Sequence, residues 1–148
     1  MKKTFIIGLV LFMGMFTKAL SQNVTNKLEG VWQYCKIVKG DGGEQVMACT
    51  PIWKIFNSDG KFSQFMLMYK DGGCALTHYG SYVIESDSTY KEHITEHAVD
   101  KALVGSETNL KYRFVNDDML ELTYKLQGRD SEFREVWKRL KLFKQPEK

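Results

Sequence analysis

The chain has 148 residues, with 21 Lys+Arg against 18 Asp+Glu and a formal net charge of +3. The first 21 residues hold Lys2, Lys3 and Lys18 and no acid, so the chain beyond them is charge-balanced. That balance speaks against the basic face a nucleic-acid or anionic-membrane partner needs, and the length from Gln22 onward suits one domain with an ordinary core.

Lys2-Lys3 forms a charged start, Phe5 to Phe16 is apolar, and Ala19-Leu20-Ser21 offers small residues at −3 and −1 of a cut before Gln22. This pattern predicts a secretory signal peptide over 1–21 and a mature domain over 22–148, periplasmic or secreted. The apolar stretch is shorter than the roughly 20 residues a membrane helix needs. No later segment is long and apolar enough, so the mature chain is expected to have no membrane span.

Beyond the leader, short runs rich in Val, Ile, Tyr, Phe and Trp alternate with turn clusters such as Lys39–Gly43, Asn57–Gly60 and Asn116–Asp118. Turn signals at that spacing predict an all-β sandwich or barrel. Eight strands fit, at about 29–38, 46–56, 61–70, 76–85, 88–95, 108–115, 119–126 and 132–142. Leu120, Leu122, Tyr124 and Leu126 share one face, as do Leu110, Tyr112 and Phe114, the period-2 pattern of half-buried antiparallel strands. Ile52–Phe56 and Phe65–Tyr69 are apolar on both faces, so their outer side calls for a cover. Ala98, Ala102 and Leu103 have helical spacing before Gly105, which predicts a short helix near 97–104.

Cys35 and Cys49 are symmetric about Gly42. In a symmetric hairpin they would face each other with Cα atoms about 4.5 Å apart, within disulfide reach. The alternative is three small buried hydrophobes, counting Cys74. Three cysteines without CxxC or clustered His do not predict zinc. His93-Ile94-Thr95-Glu96-His97 matches H-x-x-E-H, a zinc-peptidase motif that works only on a helix. On a strand the two histidines lie about 13 Å apart, so they read as surface residues. Asn57–Gly60 reads as a hairpin turn, because Met68 stands where a calcium loop needs Glu. Asn23-Val24-Thr25 is a formal glycosylation sequon. No G-x-S-x-G is present.

A closed barrel must join its first and last strands and plug its narrow end. Gly30 and Trp32 in the first strand, with Trp137 and Arg139 in the last, suit that closure: an indole plate, close backbone approach, and a guanidinium to stack and cap carbonyls. On these residues the chain resembles the lipocalin and fatty-acid-binding-protein superfamily. Gly30-x-Trp32 is similar to its N-terminal motif, and Arg139 to its C-terminal arginine. Tyr90–Ile94, Gly128-Arg129 and Glu135–Arg139 resemble a group of exported lipocalin-like proteins of Bacteroidetes. The resemblance implies a single eight-stranded antiparallel up-and-down barrel and carries no biochemical role with it.

Such a barrel either fills its lumen or holds one small ligand. The inward set is read as Trp32, Tyr34, Phe56, Phe62, Tyr82, Ile84, Tyr90, Glu92, Leu110, Tyr112, Leu122, Tyr124, Glu135 and Trp137. Tyr34, Tyr82, Tyr90, Glu92, Tyr112, Tyr124 and Glu135 are the candidate ligand-binding residues, aromatic walls with polar ends. Glu92 and Glu135 are expected at the rim, paired with Arg134 or Arg139, or held inside by Tyr hydroxyls. The expected function is non-catalytic binding of a small apolar or amphipathic molecule, with no metal and no cofactor, by a monomer or weak homodimer. The alternative is a filled barrel that binds a protein or glycan through its outer surface.

Overall fold

A computed structural model describes residues 26–68, 70, 72–126 and 128–141. The segment read as a signal peptide, 1–21, and the Asn23–Thr25 sequon lie outside the described residues. Eight strands follow in order: β1 (Gly30–Lys39), β2 (Gln45–Phe56), β3 (Lys61–Met68), β4 (Gly73–Ile84), β5 (Thr89–His97), β6 (Glu107–Asn116), β7 (Met119–Lys125) and β8 (Glu132–Arg139). Each pairs antiparallel with the next, and β1 pairs with β8, so the sheet is a closed barrel. Among the described residues no helix is long and apolar enough to cross a membrane.

The possible short helix near 97–104 is realised only as one tight turn. The strand before it runs on to His97, and the segment then makes a single 3-10 turn, Lys101–Leu103. Asp100 caps that turn by accepting the Ala102 N–H at 3.1 Å, and Gly105 ends it at φ +79°. The spare length went into the strand because β5 carries a bulge. Tyr79 pairs with Glu96 but Gly80 pairs with Ile94, leaving Thr95 unmatched. A bulge shifts the side-chain alternation by one residue. Gly80 permits it, since a Cβ there would lie 1.9 Å from the His93 carbonyl oxygen.

Inward side chains fill one half of the lumen. Trp32, Phe56, Phe62, Tyr82, Tyr90, Leu110, Leu120, Leu122 and Trp137 form one buried cluster with Leu28. Phe56 meets the edges of Tyr82 and Tyr90 at 5.0 and 5.7 Å. The base is shut where β1 meets β8, with Trp32 paired to Arg139. The Arg139 guanidinium lies 4.1 Å from the Trp32 ring centre. It donates to the carbonyls of Glu29, Lys27 and Asp117 at 2.8, 2.7 and 3.2 Å. The Trp32 indole N–H donates to the Leu28 carbonyl at 2.8 Å. Gly30 sits at φ +130°, and a Cβ there would stand 2.8 Å from Arg139 Nη1.

At the opposite end the β1–β2 hairpin outruns the wall. β1 pairs with β8 only as far as Cys35, and β2 joins β3 only from Ile52. Tyr34, Thr50 and Pro51 mark the irregularity, where the Thr50 hydroxyl donates to the Tyr34 carbonyl at 2.9 Å. Proline fits here because a bulge leaves a ladder N–H unused. Cys35 and Cys49 are paired in register as thiols, with sulfurs 3.1 Å apart. Burial, and the Cys49 thiol beside it, push the Cys35 thiol up to about 12.

On the outer wall Trp53 and Phe65 stack on each other at 5.8 Å. Leu67 and Leu76 beside them remain 43% and 51% exposed. The two-faced apolar strands thus partly cover themselves.

Candidate functional site

The other half of the lumen is open. A cavity of about 390 Å³ lies at the mouth, walled by Met66, Ile94, Leu103, Leu110 and Leu126 with polar groups between them. The 3-10 turn after β5 brings Leu103 to its rim.

Lys54 stands between Ile52 and Phe56 on β2 and therefore shares their inward face. Its ammonium bonds Glu92 Oε1 at 2.5 Å, with both side chains almost wholly buried. It also lies over the rings of Phe62 and Phe56, at 4.7 and 5.3 Å. The Tyr90 hydroxyl donates to the same Glu92 oxygen at 2.9 Å. Burial, and then the Glu92 carboxylate, push the Tyr90 phenol well up, so it remains a donor. Across the cavity the Tyr124 hydroxyl and the Trp137 indole N–H donate to the two oxygens of Glu135 at 2.8 and 2.9 Å. Burial and the Glu135 carboxylate raise Tyr124 in the same way.

His78 and His97 stack at 5.0 Å on the cavity wall. The bulge at Thr95 turns His97 inward, away from the face of His93, which is exposed. The expected pair of surface histidines is therefore corrected: only His93 is on the outside. His97 Nδ1 accepts the Asp100 and Val99 N–H groups at 2.9 and 3.3 Å, which assigns the proton of the neutral ring to Nε2. Among the described residues no three His, Cys, Asp or Glu side chains converge to hold a metal ion.

His78 is pushed down to about 3 by burial, with the Lys54 ammonium and His97 adding to the effect. Its unfolded value is near 6.5, so the native ring stays neutral while the unfolded ring takes a proton between those limits. Its contribution is complete above pH 6.5 and is lost as pH falls toward 3, at about 1.4 kcal/mol per unit. Urea melts from pH 7 down to 4 should therefore give a steeper loss for the wild type than for His78→Leu. Parallel curves would show that this imidazole carries no linkage.

The site residues read from sequence separate by depth. Glu92, Tyr124 and Glu135 line the cavity, and Tyr90 lies beneath it. Tyr82 and Tyr112 sit at the base, where their hydroxyls donate to the carbonyls of Asn57 and Ser86. Tyr34 packs on Trp137, ring centres 5.3 Å apart, and does not line the cavity. The arginine partners expected for the two carboxylates are elsewhere. Arg134 bonds Glu121 on the outer wall, and Arg139 caps the base. Lys54 and His78 also line the cavity; neither belongs to the inward set read from sequence, although period-2 alternation puts them on the faces of Phe56 and Tyr82.

Fold and site together define a closed eight-stranded antiparallel barrel, packed solid at one end and hollow at the other. Residues 27–147 match the family described as Domain of unknown function (DUF4488), and the chain belongs to that family. No curated protein matches the chain.

Proposed function

We propose that this protein is an exported lipocalin-like carrier, of the kind found among exported Bacteroidetes proteins, that holds a small apolar or amphipathic molecule at the barrel mouth without transforming it. The observation that carries the reading is the division of the lumen. Aromatic and leucine side chains pack the base, whereas the mouth retains about 390 Å³ walled by aliphatic side chains interleaved with nine polar ones. That is the composition of a small-molecule site. The buried polar groups around it already bond one another, as a preformed site requires.

Native mass spectrometry of freshly purified protein is expected to show a bound molecule that organic solvent removes. N-phenylnaphthylamine, a neutral apolar fluorophore, should brighten on the emptied protein and fail to do so on Leu126→Trp, whose indole would occupy the mouth. A wild-type protein that carries no adduct and leaves the fluorophore dark would end this reading.

A second reading rests on the outer wall. Leu67 and Leu76 flank the stacked Trp53 and Phe65 and suit an apolar partner surface. Gel filtration across a range of concentrations distinguishes a self-associating wall from a monomer.

A further inference from the structure

We infer that the molecule held at the mouth carries a protonated amine, seated on Glu135. The inference rests on the carrier reading and adds the charge of the ligand. Its basis is the set of ionic groups that face the cavity among the described residues, Lys54, Glu92 and Glu135, together with the imidazoles of His78 and His97. Lys54 and Glu92 are bonded to each other and nearly cancel. Glu135 has no such counterpart: among the described residues no Lys, Arg or His lies within ion-pair distance of it. Its two oxygens each accept from one neutral donor, the Tyr124 hydroxyl and the Trp137 indole N–H.

A carboxylate oxygen has room for two hydrogen bonds, so each oxygen of Glu135 can take one more. The two donors hold the carboxylate in one orientation beside the aliphatic wall. An ammonium would supply both the missing charge and a donor, in a charge-assisted bond stronger than a neutral one. A ligand carboxylate or phosphate would face Glu92 and Glu135 with Lys54 already engaged, and like-charge juxtaposition disfavours it. A neutral hydroxyl could donate to Glu135 but would leave its charge unanswered. The aliphatic residues Met66, Ile94, Leu103, Leu110 and Leu126 take the apolar part of the amine.

Calorimetric titration of the mature protein with n-octylamine, n-octanol and octanoate holds the chain constant and varies the head group. The amine is expected to bind about tenfold or more tighter than the alcohol, with octanoate weakest. Glu135→Gln removes the charge and keeps one oxygen acceptor, so on that variant the amine should bind no tighter than the alcohol. Alcohol binding serves as the check that the variant is folded; were the variant unfolded, the wild-type series would decide alone. An alcohol or octanoate that binds as tightly as the amine overturns the inference and leaves the carrier reading standing. Failure of all three to bind overturns the inference, and the carrier reading with it where the protein also carries no adduct and leaves the fluorophore dark.

Discussion

Lys54→Met is expected to destabilise the protein by about 3–5 kcal/mol, because it strands the Glu92 carboxylate in a buried site. Lys54 and Glu92 are respectively 4% and 6% exposed at their side chains, so water cannot take over the bond. Methionine matches the length of lysine and can still pack on Phe56 and Phe62, which leaves the lost charge as the main change. The double variant Lys54→Met with Glu92→Gln should recover most of the loss. Glutamine still accepts the Tyr90 hydroxyl and no longer needs a cation. The two variants, Glu92→Gln alone and the wild type form a double-mutant cycle read by urea denaturation. Additive losses would mean that the pair is not coupled, and that the ion bond does not organise the cavity floor.

The second large effect lies at the base. Trp32→Ala is expected to cost about 3–5 kcal/mol, the range for removing a fully buried aromatic. Trp32 is 0% exposed, and its loss also removes the plate under Arg139 and the bond to the Leu28 carbonyl. Arg139→Lys keeps the charge but loses the planar fork that reaches three carbonyls at once. It should cost less, about 1–2 kcal/mol, since the guanidinium is partly solvated. The order Trp32→Ala, then Arg139→Lys, is read from denaturation midpoints at constant slope. An unchanged midpoint for Trp32→Ala would mean that the plug is dispensable and the barrel is held by its ladders alone.

Strand existence and the inward faces were legible, because alternation of apolar and polar residues reports burial directly. The runs Leu110–Phe114 and Leu120–Tyr124 point inward as their pattern requires. Three things were less legible, each for a separate reason. Lys54 interrupts a run that is apolar on both faces, and a lone lysine there gives no hint of a buried carboxylate three strands away in the sheet order. His97 turns inward only because a bulge at Thr95 resets the alternation; the bulge follows from the backbone clearance at Gly80, which no periodicity records. Depth follows from strand direction. Successive strands of an up-and-down barrel run in opposite directions, so late residues of β4 and β6 lie at the base and late residues of β7 at the mouth. That alternation separates Tyr82 and Tyr112 from Tyr124.

The seam between β1 and β8 ties together parts of the chain up to 112 residues apart. While the polypeptide is being made, β1 has its hairpin partner β2 at once, but its other edge stays bare until β8 is available. Ring closure is thus a late, all-or-none event with a heavy loop-entropy penalty, and proteins built on such distant pairings fold slowly. Chains truncated just before Glu132 would keep seven strands and two raw edges, the condition in which sheets recruit one another.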